Sequence, residues 1–312
     1  MGILKPKALR RGDVIGIAAP ASPPASEEAL AKGIRYLEQL GYRIELGPHI
    51  YHRRGYLAGT DDERTSDLHQ LFANPRVKAI FTVRGGYGAM RVLPNLDFNL
   101  IRRNPKILLG YSDITALQLA LFAKAGLVTF SGPMVSVEMA EGLNGAAEER
   151  LWDTLRFIKP FDVIKIKQRE LSIYEKGSAT GRVLGGNLAM ISALVGSRYL
   201  PGDERHLLLM EEIDEKPYRI DRILLQMKRT KFLSKARGVL LGKFIGCEPS
   251  PGKPSLSLEQ IFQDVFRPYG IPVMGHIHYG HVKYPLTIPI GINARMNTKE
   301  GTITFLENAV TK

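Results

Sequence analysis

Short apolar runs alternate with amphipathic stretches along the first half of the chain, the pattern of a parallel sheet whose strands are joined by helices. Val14-Ile15-Gly16-Ile17-Ala18-Ala19-Pro20 predicts a buried strand. Ser26-Glu27-Glu28-Ala29 then predicts a helix start, with Leu30, Ile34, Leu37 and Leu40 carrying the period to a stop at Gly41. A strand over 42–46, a helix over 61–73 ending before Pro75 and a strand over 77–83 follow. The run Lys106-Ile107-Leu108-Leu109-Gly110-Tyr111 gives way abruptly at Ser112 to Asp113-Ile114-Thr115-Ala116-Leu117-Gln118-Leu119, which reads as a helix. A strand over 127–131 and a helix over 146–157 complete this half.

Lys159-Pro160-Phe161 breaks the alternation and predicts a boundary between domains at 1–160 and 161–312. Beyond it, strands are expected over 163–166, 181–184, 207–210, 238–245, 288–294 and 302–306, with helices over 187–195, 218–228 and 258–266. The second domain therefore reads as mixed α/β, a small sheet or barrel with helices packed on it.

Composition narrows the function classes. At 312 residues two domains are expected, and no apolar stretch reaches the roughly 18 to 20 residues of a membrane span. The segment Met1-Gly2-Ile3-Leu4-Lys5-Pro6-Lys7 lacks the apolar core of a signal peptide, so a cytoplasmic protein is expected. Cys247 is the one cysteine, which excludes an intrachain disulfide or a thiolate metal cluster and reads as a semi-buried structural thiol. A net charge of +12 raises the question of nucleic acid, yet Lys and Arg are spread from Lys5 to Lys312 without a basic tail, zinc-finger spacing or stacking-aromatic motif. Nucleic acid is thus not an expected partner; the charge suits a substrate rich in carboxylates, or solubility.

Candidate chemistry sits at three places besides Ser112. On a strand-to-helix turn a serine hydroxyl is lifted clear of the backbone beside unpaired helical N–H groups, as a nucleophile requires; the competing reading is a serine that caps its helix. Arg84-Gly85-Gly86-Tyr87-Gly88 follows a strand directly, which suits close approach of a ligand to backbone N–H groups or, equally, a plain tight turn. Its glycine spacing is neither that of a P-loop nor that of a dinucleotide fold. Glu211, Glu212, Asp214 and Glu215 end the apolar strand 206–210, where a carboxylate can orient an imidazole or simply be solvated. His276-Ile277-His278-Tyr279-Gly280-His281 holds three of seven histidines. In an extended segment His276 and His278 share a face, which opens a metal reading; the other is a single catalytic imidazole at His281, where the strand ends and a loop begins.

The strings Arg84-Gly85-Gly86-Tyr87-Gly88, Gly110-Tyr111-Ser112-Asp113-Ile114-Thr115-Ala116-Leu117, Gly185-Gly186-Asn187-Leu188, Glu215-Lys216-Pro217-Tyr218-Arg219-Ile220-Asp221-Arg222 and Pro289-Ile290-Gly291 together resemble the LD-carboxypeptidases, serine peptidases of murein recycling. The resemblance implies a flavodoxin-like parallel-sheet N-terminal domain and a smaller mixed α/β, swivelling β/β/α-like C-terminal domain. It implies a Ser-Glu-His triad whose nucleophile falls on Ser112, whose carboxylate, the first acidic residue after the buried strand, falls on Glu211, and whose histidine falls on His281. The family often follows that carboxylate with Asp, where this chain has Glu212. The implied oxyanion hole is backbone N–H groups of Gly86, or its neighbour Gly85, and of Asp113. Arg84, whose guanidinium can grip a carboxylate through two hydrogen bonds, reads as a partner for a substrate carboxylate or, equally, as a member of a structural ion pair. The implied reaction removes the terminal D-alanine of murein tetrapeptides, without metal or organic cofactor, in a homodimer. A related branch, the microcin-immunity peptidases, cleaves acyl-sulfamoyl adenylates; its extra tryptophan ahead of the glycine-asparagine motif has no counterpart here, where Trp152 is the one tryptophan. A protein that binds a small anion in the glycine loop without cleaving it is the non-enzymatic alternative.

Overall fold

The computed structural model describes residues 2–143, 145–156, 163–202 and 205–312. In chain order its elements begin with β1 (Val14–Ala18), α1 (Glu27–Gln39), β2 (Arg43–Leu46), α2 (Asp61–Ala73), β3 (Val77–Thr82), α3 (Ala89–Val92), α4 (Phe98–Arg103), β4 (Ile107–Leu109), α5 (Ile114–Ala125), β5 (Thr129–Ser131), α6 (Glu138–Glu141) and α7 (Gly145–Arg156). They continue with β6 (Val163–Lys165), β7 (Ser172–Glu175), β8 (Ser178–Asn187), α8 (Leu188–Ala193), β9 (His206–Ile213), α9 (Pro217–Lys228), α10 (Lys231–Ser234) and β10 (Ala236–Ile245). The last are α11 (Leu258–Phe266), β11 (Val273–Gly275), β12 (Ile288–Ile290), β13 (Asn293–Asn297) and β14 (Thr302–Phe305).

Local chemistry sets the helix starts. Ser26 caps α1 by accepting the Ala29 N–H, with Glu27 and Glu28 favourably placed in the first turn. Thr60 and Glu63 form a reciprocal capping box on α2, and Ser257 and Gln260 form another on α11. Helix α5 differs: ten of its residues, from Ile114 to Ala125, are buried, so it is a core helix without a solvated stripe.

The chain forms two compact units, one of Met1–Ile158, Lys283–Gly291 and Ala309–Lys312, the other of Lys159–Val282 and Ile292–Asn308. The linker expected at 159–161 lies outside the described residues. In the first unit six strands lie in the order β12-β5-β4-β3-β1-β2. The pairs among β1 to β5 are parallel and β12 runs antiparallel to β5. Reading from the far edge, the parallel strands follow the order 2-1-3-4-5, the doubly wound arrangement of flavodoxin-like folds, which places ligand-binding loops at the strands' carboxyl ends. All five residues of β1 and all three of β4 are buried, as a sheet covered on both faces requires.

The second unit is one eight-stranded sheet in the order β6-β14-β13-β8-β9-β10-β11-β7. Its centre, β8 to β11, is parallel, and β13, β14, β6 and β7 join antiparallel. The single strand expected over 288–294 is in fact two. Gly291, at φ 99°, turns the chain between β12, which pairs with β5, and β13, which pairs with β8. A division into 1–160 and 161–312 does not include this return of β12 to the first sheet.

Candidate active site

Ser112 follows β4 with φ 63°, a left-handed backbone that residues with a Cβ seldom adopt. Such strain is tolerated where surrounding contacts over-determine it. Here Gln118, buried in α5, donates through Nε2 to the Gly110 carbonyl (3.0 Å) and the Phe130 carbonyl (2.8 Å), and Thr82 Oγ1 donates to the Leu109 carbonyl (3.0 Å). Gly110 is required as well, since a Cβ there would collide with Thr82 Oγ1. The residue that caps α5 is Asp113, not Ser112. Ser112 stands one step outside the helix, half-buried, with its carbonyl accepting the Thr115 N–H at 2.9 Å. The plain helix-cap reading of Ser112 is thereby replaced by a strained elbow.

The glycine loop after β3 lies against this elbow within the same unit. A Cβ built on Gly85 would stand 2.9 Å from Ser112 Cβ, 3.1 Å from its Oγ and 3.3 Å from the Asp113 nitrogen, so Gly85 is glycine because the serine occupies that space. Gly86 and Gly88 take φ of 89° and 131°. Arg84 is half-buried and has no ion pair among the described residues, and Gly86 is exposed.

Glu211 and His281 are brought together in the second unit. Glu211 Oε2 lies 2.7 Å from His281 Nδ1 and also accepts the His281 backbone N–H at 3.3 Å. Glu211 is fully buried, whereas the His281 side chain keeps 17% of its surface exposed. Successive residues of a strand face opposite ways, and β9 therefore sends Glu212 elsewhere. Its carboxylate accepts from Asn187 Nδ2 (2.9 Å), the Ala189 N–H (2.8 Å) and the Ile213 N–H (2.9 Å), and burial raises its pKa above the ordinary value. Asp214 and Glu215 stand beyond the end of β9, and Glu215 pairs with Arg219 at 3.6 Å.

The segment carrying His281 is held by its backbone: the Ile277 N–H donates to the Leu241 carbonyl (3.1 Å), and the Lys243 N–H to the Tyr279 carbonyl (3.0 Å). His276, at φ 65°, leaves the extended conformation at once, which removes the shared face that a metal reading of His276 and His278 assumes. His276 instead lines a cavity of about 550 Å³ with Lys243, Tyr174, Phe244 and Phe262, which neither Glu211 nor His281 borders. Among the described residues no three His, Cys, Asp or Glu groups are disposed to hold a metal ion, and no helix is long and apolar enough to cross a membrane.

Gly280 escapes the motif reading, although it adjoins His281. At φ 102°, a Cβ there would stand 2.5 Å from Glu211 Oε2 and 2.7 Å from Glu211 Cβ, so this glycine makes room for the carboxylate. Ser22, Arg64 and the Asp113 side chain, all bound to the glycine loop, also carry no local sequence signal.

With two glycine-relieved clusters in place, one around a serine and one around a histidine, the comparison with known proteins is decisive. Residues 15–132 match the LD-carboxypeptidase N-terminal domain and residues 180–296 the LD-carboxypeptidase C-terminal domain. The chain belongs to the LD-carboxypeptidase family. As an LD-carboxypeptidase it is a serine-type peptidase, a hydrolase. It is 39% identical over 302 residues to a probable murein peptide carboxypeptidase of Bacillus subtilis, covering 96% of this chain and 93% of that one. A muramoyltetrapeptide carboxypeptidase structure from Oxalobacter formigenes superposes with a TM-score of 0.82 at 29% identity, covering 93% of this LD-carboxypeptidase and 97% of its relative. The microcin C7 self-immunity protein MccF, without ligand, shares the fold at a TM-score of 0.91 and 24% identity, over 99% of this chain and 100% of that one.

Proposed function

We propose that this carboxypeptidase removes the terminal D-alanine from murein tetrapeptides through a Ser112-Glu211-His281 triad and an acyl-enzyme. The observation that carries the reading is the left-handed Ser112, φ 63°, at a strand-to-helix elbow that a glycine loop is shaped to meet. It is supported by the 2.7 Å contact of Glu211 with His281 Nδ1, which favours the tautomer whose proton-accepting lone pair is on Nε2. His281 Nε2 takes the Ser112 hydroxyl proton as Oγ bonds to the amide carbonyl carbon, and the carbonyl electron pair moves onto oxygen. The N–H groups of Gly86 and Asp113 hold that oxyanion, an interaction worth roughly 2.7 to 4 kcal/mol per donor in comparable hydrolases. Collapse breaks the C–N bond, and the proton passes from His281 to the departing amine of D-alanine. Water then attacks the ester by the same route. Every proton has a carrier among these groups, so the scheme draws on no metal or organic cofactor.

Arg84 grips a substrate carboxylate in this scheme, where its planar fork makes two hydrogen bonds. Murein peptides are the substrate class because the B. subtilis and O. formigenes relatives carry that activity in their names. A cytoplasmic homodimer goes with this reading. The test is release of D-alanine from a purified murein tetrapeptide by wild type and Ser112→Ala, with an acyl-sulfamoyl adenylate assayed in parallel. Loss of release in the variant upholds the proposal. Wild-type release by Ser112→Ala, or turnover of the adenylate alone, overturns it.

A further inference from the structure

The glycine loop that would supply one oxyanion donor has two residues at positive φ, so its own backbone preferences do not fix where its N–H groups aim. Four hydrogen bonds do. Gly85 accepts from the Ser22 N–H (3.2 Å), and the Tyr87 N–H donates to Ser22 Oγ (3.1 Å). Gly88 accepts from Arg64 Nη1 (2.8 Å), and the Ala89 N–H donates to Asp113 Oδ2 (2.7 Å).

Two of these anchors are buried charges. Arg64 is 1% exposed and Asp113 3% exposed, in a setting where an ion loses much of its hydration. Arg64 also donates to the Pro20 carbonyl at 2.5 Å and pairs with Asp61, so the guanidinium is committed on several sides. Asp113 is the N-cap residue of α5, yet its side chain makes no cap hydrogen bond to that helix. It reaches instead to the start of α3, 24 residues earlier in the chain. Burial raises the Asp113 carboxyl to about 6, against the lowering effect of the Ala89 and Gly88 N–H groups and of Arg64. The fold accepts the desolvation of this group for a contact that a neutral, solvated turn would not need.

We infer that the Asp113 carboxylate, backed by Arg64, is a positioning group that locks the glycine loop to the serine elbow. One residue then governs both oxyanion donors: its own backbone N–H is one, and its side chain sets the aim of the loop that carries the other. The inference rests on the reading of Ser112 as nucleophile. It goes beyond that reading by assigning a role to two side chains that touch neither substrate nor reacting atoms.

The test uses the full chain with Asp113→Asn, which keeps the shape and the backbone N–H, and Arg64→Lys, which keeps charge but not the two-carbonyl grip. For each, kcat and KM for D-alanine release are measured with the affinity for the tripeptide aldehyde that lacks the terminal D-alanine, whose aldehyde carbon replaces the scissile carbonyl so that its hemiacetal oxygen occupies the oxyanion position; a thermal melt establishes folding. The expected result is kcat lower by roughly 10- to 100-fold, KM within about threefold, and aldehyde affinity falling with kcat, as loss of aim at an oxyanion donor produces. Folded Asp113→Asn with kcat within about twofold of wild type, or with KM alone altered, overturns the inference. If Asp113→Asn does not fold, Arg64→Lys decides by the same criteria. Ser112→Ala run alongside separates the two levels: activity surviving there removes the nucleophile assignment itself, whatever Asp113 does.

Discussion

One carboxylate oxygen, Glu211 Oε2, serves His281 twice, 2.7 Å from the ring Nδ1 and 3.3 Å from the backbone N–H of the same residue. The ring and the backbone of His281 thus share a single buried acceptor. Glu211→Gln is expected to lower kcat by roughly 10²- to 10⁴-fold, because an amide does not stabilise the imidazolium that forms during proton transfer. Glu212→Gln makes the internal control. Its amide cannot accept from all three of the donors that Glu212 serves, which costs about 1 to 3 kcal/mol of stability, while kcat changes only slightly. Urea titration and steady-state kinetics on both variants read the two effects separately; equal kinetic damage in the two would count against the assignment of Glu211.

Glycines shape both clusters, and alanine tests them. Gly85→Ala places a methyl 2.9 Å from Ser112 Cβ, so a folded protein is expected in which labelling of Ser112 by a fluorophosphonate is slowed by at least an order of magnitude. Gly280→Ala must also hold φ 102°, costing about 1 to 3 kcal/mol in backbone strain besides displacing Glu211. A lower Tm and lost activity are expected together for Gly280→Ala, whereas Gly85→Ala loses activity with a smaller change in Tm.

The buried Asp113 gives stability a definite pH dependence. Its carboxyl moves from 3.8 to about 6 on folding, so between those values the folded state holds the proton more tightly than the unfolded one. The stabilisation is fully present below pH 4 and is lost as pH rises through 6, in all about 3 kcal/mol. Asp113→Asn lacks this titration. Its unfolding free energy, taken relative to wild type, is expected to rise by that amount between pH 4 and pH 8 in denaturant titrations; an unchanged difference would show that the carboxyl is not shifted. A variant that is slower yet more stable at neutral pH is the outcome expected when a functional group is held at the fold's expense.

Cys247 is fully buried, and burial pushes its thiol up to about 11. The native protein is therefore expected to release no colour from a disulfide reagent near pH 8, where little thiolate exists and none is accessible. Unfolding in guanidinium should release one equivalent. Rapid reaction of the native protein, with loss of activity, would show that the thiol is neither buried nor merely structural.

How much of this was legible depended on whether the cause was local. The helices expected over 61–73 and 258–266 coincide with α2 and α11, because Thr60 with Glu63 and Ser257 with Gln260 carry their start signals within four residues. The elbow at Ser112 was legible for the same reason, an apolar run switching period at a serine. By contrast the run 288–294 looks like one strand, since what divides it is the partner that each half finds, β5 for β12 and β8 for β13. Strands β7 and β11, four and three residues long, have too little pattern to register in the sequence and are strands because β11 pairs with β10 and β7 with β11. Adjacent glutamates 211 and 212 are equivalent by composition, and only the alternation along β9 decides which one meets His281. Arg64 is buried with its guanidinium on the carbonyls of residues 20 and 88, both distant along the chain, so nothing local marks it.

The place of β12 has a consequence for the order in which the protein can be made. A nascent chain extended through α7 already contains β1 to β5, five of the six strands of the first sheet, with β5 at a bare edge. The strand that covers that edge is residues Ile288–Ile290, more than a hundred residues later. Until then β5, beside the strand that leads to Ser112, exposes an unpaired row of backbone donors and acceptors, the feature most open to wrong pairing during synthesis. The serine elbow is thus encoded early and its sheet completed late, which makes this edge the point at which newly made chains would most depend on protection from their neighbours.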